Sequence, residues 1–434
     1  MKIAVLGADE ESVHAIKEAK KLGFCVVAVD KNPNAPGLEL ADVQFNIDLS
    51  DEARVIDALR GENIDLVLTA PIGRNLQTIG AVNDALGLPG VSRQTAVWCS
   101  DKYAFHNRLR NKRLRDGHCY LANEREPFDP SRMTYPAIFK PRFGSHGRSV
   151  YYFENKEELY NLEVSLWGNE KENEQLNKVD GGKEDVVAFA NRIKMAMEVH
   201  MKLDESKDDP KAEYILEDAF RGTEYALDAV VEGCNVEIVM LRHKLITPPP
   251  SRQAVAYINV ILNEEPRLVS LIKEYMTSVC EALALKDCMI HSDVIVFGRN
   301  CMAVEISASP AGHHVYDEFI PMSTGVDMCS QYLTYMAGEI HNFEPLNNRK
   351  TMLHYFDMEK CFVHRIPSAD DIRAKLPAGT KLRKWICNIK MLDYLGAITD
   401  EISLLGRGYY ILEAPSDKAL LEAAEIIRNE FEVK

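Results

Sequence analysis

Residues His291–Gly312 read HSDVIVFGRN CMAVEISASP AG, and the rest of the chain is best read outward from them. Two β-rich runs, His291–Phe297 and Cys301–Ser307, flank Gly298-Arg299-Asn300, whose residue types favour a tight turn. The pattern predicts an antiparallel hairpin. With the turn centred on Arg299, Asp293 lies opposite Glu305 and His291 opposite Ser307, and alternation puts these four polar groups on one face. Val294, Val296, Met302 and Val304 then take the other, buried face. Two carboxylates about 5 Å apart across strands repel unless one is protonated or a cation lies between them. A hard-oxygen Mg²⁺ site is the simplest answer, with a solvated acidic face as the alternative. If repulsion dominates, removing either charge leaves stability unchanged or slightly raised.

The chain has 434 residues, 46% of them apolar and 27% charged, which predicts a globular protein of two or three domains. A net charge of −15 argues against a general nucleic-acid or membrane surface. The ten cysteines show no metal-ligand spacing and point to reduced thiols. No signal peptide and no run of about eighteen apolar residues is visible, so the expected location is cytoplasmic.

Lys2–Leu6, Cys25–Asp30 and Asp65–Leu68 read as strands between helices at Ser12–Leu22 and Asp51–Leu59, the alternation of a doubly wound parallel sheet. The first turn, Gly7-Ala8-Asp9-Glu10, lacks a full GxGxxG. Asp30 therefore reads as the cap of the turn DKNPNAPG, with a ribose-binding acid as the alternative. Thr95–Arg110 is predicted helical and carries Asp101-Lys102. The strand Tyr135–Lys140 runs into PRFGSHGR and then the strand Ser149–Phe153. A lysine at a strand end before a Gly/Ser turn has the parts of a phosphate-covering loop, and an ordinary hairpin turn is the alternative. Residues 155–212 are charge-rich, with one helical portion at Val186–Met201, and read as a partly mobile insertion. Tyr214–Phe220 and Tyr225–Val231 are strands around a Gly222 turn, so Glu217 and Glu224 either converge on one ligand edge or are plain strand-end acids. Pro248-Pro249-Pro250 makes Leu245–Arg252 an extended segment outside any sheet. Pro266–Leu285 and Met322–Met336 are predicted helical. A short αβ unit, Cys361–Leu376, precedes strands near Ile386 and at Gly408–Leu412 and a final helix, Ser416–Phe431.

The order of these pieces resembles the ATP-grasp superfamily, and within it the carboxylate–amine ligases, over roughly residues 1–345. It rests on Asp101-Lys102, on Lys140 before a Gly loop, on Leu216-Glu217 and Gly222-Thr223-Glu224, and on Asp293 with Glu305. Asp30–Gly37 followed by Ala41-Asp42 is also similar to the opening of these proteins. The resemblance implies an α/β chain in three parts. These are an N-terminal doubly wound parallel-sheet domain (1–98), an ATP-grasp α+β domain (99–345) and a small C-terminal αβ subdomain (346–434). The middle part would carry a lid over about 128–212 that includes the insertion.

By the same resemblance, Lys102 and Lys140 contact ATP phosphates, and Gly144, Ser145, His146 and Gly147 close over them. Glu217, Asp218 and Phe220 belong to the adenine-reading hinge, and Glu224 holds the ribose. Asp293, Glu305 and Ser307 carry Mg²⁺, as two ions replaceable by Mn²⁺. Ser307 stands where the family commonly has Asn, and Ser309 stands before Pro310 where many ligases have an Arg that steadies an acyl phosphate. Arg252, beyond the prolines, is the first expected substitute, with His291 on the metal face and His313, His314 and Arg242 next. The implied reaction phosphorylates a small carboxylate with ATP and lets an amine displace phosphate, in a homodimer that binds neither nucleic acid nor membrane. The alternatives are an ATP-binding protein without ligase activity, a nicotinamide-dependent enzyme using residues 1–98, and a purine-biosynthesis-like enzyme with a one-carbon donor.

Overall fold

A computed structural model describes residues 1–71, 75–122, 130–144, 150–167, 214–248, 252–398 and 400–434. Its strands, in chain order, are Lys2–Leu6 (β1), Cys25–Val29 (β2), Val43–Phe45 (β3), Leu66–Leu68 (β4), Cys119–Ala122 (β5), Ala137–Pro141 (β6), Tyr151–Phe153 (β7) and Tyr214–Asp218 (β8). Thr223–Glu232 (β9), Asn235–Ile246 (β10), Ala254–Asn259 (β11), Cys288–Phe297 (β12), Asn300–Ser307 (β13) and Lys350–Tyr355 (β14) follow. Cys361–Arg365 (β15), Lys381–Cys387 (β16), Tyr394–Leu395 (β17), Gly408–Ala414 (β18) and Glu432–Val433 (β19) complete the set.

The N-terminal strands form a parallel sheet in the order β3-β2-β1-β4. Ile3 to Leu6 are fully buried because helices cover both faces of such a sheet. Asp30 accepts from the Ala8 and Asn32 N–H groups, each at 2.8 Å, so it ties the first turn to the second strand and caps its own turn. That geometry is the capping reading of Asp30. A second sheet, β5-β8-β6-β7, is antiparallel and closes on a small core of Ala122, Phe139, Phe153, Tyr214 and Leu216.

The largest sheet has eight strands in the order β13-β12-β9-β10-β11-β14-β18-β16, all antiparallel neighbours. The Pro266–Leu283 helix lays Ile272, Met276, Val279 and Leu283 on one face, against Leu227, Ala229, Ile290 and Val294. The i, i+4, i+7, i+11 spacing of those apolar residues makes the stripe that a sheet can bury. The other face carries the polar side chains described below.

Four local expectations are corrected. Thr95–Arg110 is two helices, Arg93–Ser100 and Lys102–Asn111, because the Asp101 carboxylate accepts from the Tyr103 and Ala104 N–H groups and restarts the helix. Met322–Met336 is likewise broken, at Gly325 with φ +77°, into Ile320–Thr324 and Met328–Met336. Leu245 is inside the sheet, paired with Ala256, since β10 runs on to Ile246 before the prolines. In the opening hairpin Asp293↔Glu305 and His291↔Ser307 pair as expected, but the turn has two residues, Gly298 and Arg299, with Phe297 opposite Asn300. The mismatch is absorbed by a bulge at Val304, so Ala303 and Ile306 join Val294 against the Pro266–Leu283 helix, while Met302 is buried on the opposite face beside Ile295 and Val304 is only half-buried. The stretch expected as a small C-terminal unit places β14, β18 and β16 in the same eight-stranded sheet. The Val186–Met201 helix, most of the insertion and Ser145, His146 and Gly147 fall outside the described residues.

Candidate active site

Along β9, β10, β12 and β13 the residues facing away from the Pro266–Leu283 helix include Asp228, Arg242, Lys244, His291, Asp293, Glu305 and Ser307. Asp228 is fully buried and meets Arg242 Nη2 at 2.5 Å and His291 Nδ1 at 3.2 Å. Burial alone would raise the Asp228 carboxyl, but Arg242 and His291 hold it below the usual range. Burial pushes the His291 ring down, and Asp228 outweighs it, so the ring is raised and binds its proton more firmly.

One turn along the face, Lys244 Nζ donates to Asp293 Oδ2 at 2.5 Å. The other oxygen, Asp293 Oδ1, is buried and has no hydrogen-bond partner among the described residues. His291 Nε2 lies 4.0 Å from it. An orphaned buried carboxylate oxygen, with a second carboxylate opposite on β13, is a donor set suited to a hard divalent cation. Glu305 is 44% exposed and has Lys102 Nζ 3.8 Å away. The Ser307 hydroxyl lies 2.8 Å from that of Ser309, so the two serines form one hard-oxygen patch beside the carboxylates. Asp293, Glu305 and Ser307 therefore fit Mg²⁺.

The residues expected to meet the nucleotide assemble around β8. Glu217 is 1% exposed, and its carboxylate meets Lys140 Nζ at 2.6 Å, His106 Nε2 at 2.6 Å and Arg115 Nη2 at 3.5 Å. Burial would raise this carboxyl, yet Lys140, His106 and Arg115 hold it well below the usual range. Burial also pushes the His106 ring down to about 4, and its Nε2, although 2.6 Å from Glu217, has no hydrogen-bond partner among the described residues. The Glu217 side chain is thus an internal anchor. Its neighbour Asp218 accepts from the His118 and Thr134 N–H groups at 2.9 and 3.0 Å, bracing the strand end. Phe220 stacks on Phe297 of the hairpin with ring centroids 5.9 Å apart. Lys102 Nζ donates to the Gly144 carbonyl at 2.5 Å, linking the helix start to the expected phosphate loop.

Arg252 lies beside Glu224, the residue expected at the ribose. Its guanidinium is ion-paired to Glu224 and lies 5.0 Å from the centre of the Tyr152 ring. Arg242, by contrast, shares the sheet face of His291 and Asp293. His313 and His314 both have left-handed backbone, φ +60° and +63°. The His313 N–H donates to both carboxylate oxygens of Glu11, at 3.0 and 3.2 Å, bringing the first turn of the chain to this site. Glu401, which opens the Glu401–Arg407 helix, arrives from the C-terminal part, with Oε2 3.7 Å from His313 Nε2. Burial, with Asp293 and Glu305 adding to it against Lys244, raises its carboxyl to about 7. Sequence reasoning missed Asp228, Lys244, His106, Glu11 and Glu401. A lone charge within an apolar strand, as in Leu227-Asp228-Ala229-Val230, was a signal for the first; nothing local marks Glu401.

No family model matches the chain. A formate-dependent phosphoribosylglycinamide formyltransferase from Prochlorococcus marinus subsp. pastoris is 28% identical over 162 residues, or 36% of this chain and 41% of that relative. A protein of the same description from Methanocella arvoryzae is 22% identical over 161 residues, covering 36% of this chain and 38% of the relative. The chain thus spans about two fifths of the length of these relatives. Likeness to solved structures extends further. An L-amino acid ligase from Bacillus licheniformis superposes with a TM-score of 0.72 at 16% identity, covering 100% of this chain and 98% of that one. Phosphoribosylglycinamide synthetase from Anaerococcus prevotii gives 0.62 at 17% identity, covering 100% and 99%. An N5-carboxyaminoimidazole ribonucleotide synthetase, solved as its ADP complex, gives 0.65 at 13% identity, covering 98% and 96%. With end-to-end agreement in architecture and a parallel-sheet domain leading to the large antiparallel sheet, this chain has the ATP-grasp fold.

Proposed function

We propose that the chain is an ATP- and Mg²⁺-dependent ligase that activates a small carboxylate as its acyl phosphate and joins it to an amine, releasing ADP and phosphate. The observation that carries this reading is the cross-strand Asp293–Glu305 pair with its orphaned buried oxygen, set on an ATP-grasp fold. Mg²⁺ held there would neutralise charge on the phosphates during in-line transfer. The chain's own residues do the rest. Lys102 and Lys140 stand on the nucleotide side, where Glu217, held by Lys140, fixes the hinge strand. The hinge backbone at 217–220 faces the adenine, and Glu224 with Arg252 closes the ribose end.

The cation that steadies the acyl phosphate is assigned to Arg242 or Lys244 rather than Arg252, because both share the face of His291 and Asp293. Arg242 Nε supports this, being buried and without a hydrogen-bond partner among the described residues. Ser309, 3% exposed and bonded to Ser307, orients the metal-side hydroxyl instead of supplying charge.

The test is a pairwise screen of small acids and amines with ATP and Mg²⁺, read as phosphate release and product mass. Formate belongs in it, since the curated relatives are formate-dependent enzymes and formate is the smallest carboxylate. One acid–amine pair should release phosphate only when both partners and Mg²⁺ are present. Tight ATP binding with no coupled release from any pair would sink the ligase reading in favour of a nucleotide-binding protein.

A further inference from the structure

Three groups of ligating side chains among the described residues lie close enough together to share an ion. Two of them are already satisfied. In the group of His106, Cys119 and Glu217, Lys140 and Arg115 occupy the carboxylate. In that of His314, Asp317 and Glu318, Lys384 Nζ and the Tyr409 hydroxyl take one Glu318 oxygen each, at 3.1 and 2.8 Å. The third group, His14, Glu18 and Asp327, uses none of the candidate active-site residues and is built differently.

His14 and Glu18 stand four residues apart on the Glu10–Lys21 helix, so their side chains project from one face. Asp327 caps the Met328–Met336 helix: its Oδ1 accepts from the Ser330 N–H at 2.8 Å, which leaves Oδ2 for another partner. The ligating atoms of the three residues all lie within 4.8 Å of one another. His14 Nε2 is 2.9 Å from Asp327 Oδ2, yet this buried nitrogen makes no hydrogen bond among the described residues. A hydrogen-bonded ion pair would align the N–H with the oxygen, whereas two ligands of one metal need no such alignment. Bonds of about 2.0–2.1 Å set neighbouring ligand atoms roughly 2.9–3.4 Å apart around an octahedral or tetrahedral ion.

The third ligand is open to exchange. The Glu18 side chain is 10% exposed and holds Lys21 Nζ at 2.8 Å through Oε1, but Lys21 is 71% exposed, so its ammonium can swing into solvent. The His14 ring is fixed by an edge-on contact with Tyr316 at 5.3 Å between centroids, and the Tyr316 hydroxyl donates to the Glu11 carbonyl. One imidazole with two carboxylates suits a borderline ion such as Zn²⁺, while Mg²⁺ favours oxygen alone.

We propose that His14, Glu18 and Asp327 bind a first-row divalent transition metal of the Zn²⁺ class, which clamps the first helix of the chain to the Met328–Met336 helix. The ion takes the place of the Lys21 ammonium and offsets both carboxylates. This inference is independent of the ligase reading.

The experiment titrates Co²⁺, a spectroscopic stand-in for Zn²⁺, into the full reduced chain, with excess Mg²⁺ present to hold the Asp293–Glu305 site. Visible absorption and thermal melting are followed. The wild type should bind one Co²⁺ without the thiolate charge-transfer band that any of its ten cysteines would give. H14Q and E18Q should each weaken binding at least about tenfold. K21A removes the competing ammonium and should tighten it by about twofold or more. Zn²⁺ should raise the melting temperature of the wild type and not that of H14Q. Equal affinity in wild type and H14Q, or a thiolate band, means an adventitious ion only and overturns the proposal, as does absence of binding in the wild type. Should H14Q fail to fold, the surface variant K21A and the near-isosteric E18Q decide: unchanged affinity in both places the ion elsewhere.

Discussion

At Asp293 the Lys244 contact changes what a mutation does. Considered as one of two repelling carboxylates, Asp293 could lose its charge at no cost, as the sequence led us to expect. In the fold it is 17% exposed and paired with a lysine 11% exposed, so Asp293→Asn strands a buried ammonium. We expect Asp293→Asn to lose about 3 kcal/mol of stability by urea titration, the cost of breaking a buried pair. Glu305, 44% exposed beside Lys102, is screened by water, so Glu305→Gln should stay within about 1 kcal/mol of the wild type. Both should cut Mg²⁺-dependent ATP turnover by roughly a hundredfold or more. Equal stability in the two variants would show that the Lys244 pair carries no weight. His106 gives a pH signature. Its folded pKa lies at about 4 against an ordinary 6.5, because burial disfavours the charged ring. The unfolded chain takes the proton first, so this contribution is intact above about pH 6.5 and is lost as pH falls toward about 4. Between about pH 7 and about pH 5 it removes roughly 2 kcal/mol. The variant His106→Gln keeps a polar, non-titrating group beside Glu217 and should show a shallower decline over that interval; an unchanged slope would mean another group titrates there.

Among the elements, the hinge and the hairpin touch through Gly222. A Cβ there would lie 2.5 Å from Ile295 Cγ2 and 2.6 Å from the Val296 carbonyl oxygen, and the backbone atom cannot swing away. The Gly222→Ala variant should therefore cost about 1–3 kcal/mol. It should also weaken ATP binding by displacing the hinge from the metal-side strands. Wild-type ATP affinity by calorimetry in this variant would separate the two elements. The hairpin itself illustrates how far local pattern reaches. Pairing of Asp293 with Glu305 follows from alternation alone, whereas the Val304 bulge depends on a two-residue turn with Gly298 at φ +62°. Asp101 makes a similar point, since its capping bonds and its paired bonds to Arg142, at 2.6 and 2.8 Å, break a helix whose apolar spacing runs on.

For the whole molecule, the eight-stranded sheet is the unit of stability. β14 pairs with β11, and β18 and β16 pair beyond it, with a core of Met352, Phe356, Tyr410, Leu412 and Leu420 beneath. A chain ended at residue 345 would leave the β11 edge unpaired and the Ala256 and Ile258 side chains uncovered. We expect that truncation to be insoluble or to lack a cooperative thermal transition, and a soluble, cooperatively melting 1–345 fragment would contradict this. Within described residues, no helix is long and apolar enough to cross a membrane.

Local signals in the sequence were enough for the parallel N-terminal strands, the Pro266–Leu283 helix and the hairpin register that sets Asp293 opposite Glu305. Period, turn chemistry and charge spacing are properties of neighbouring residues, and each of these features has one. Tertiary structure alone decided which charges meet. Lys244 neutralises Asp293 from 49 positions away, Glu217 collects Lys140, His106 and Arg115, and Glu401 reaches His313 across 88 positions that include two strands of the same sheet. Such pairings depend on how strands order themselves in the sheet, and the order β9-β10-β11-β14-β18 is set by burial of both faces at once, which no local pattern carries.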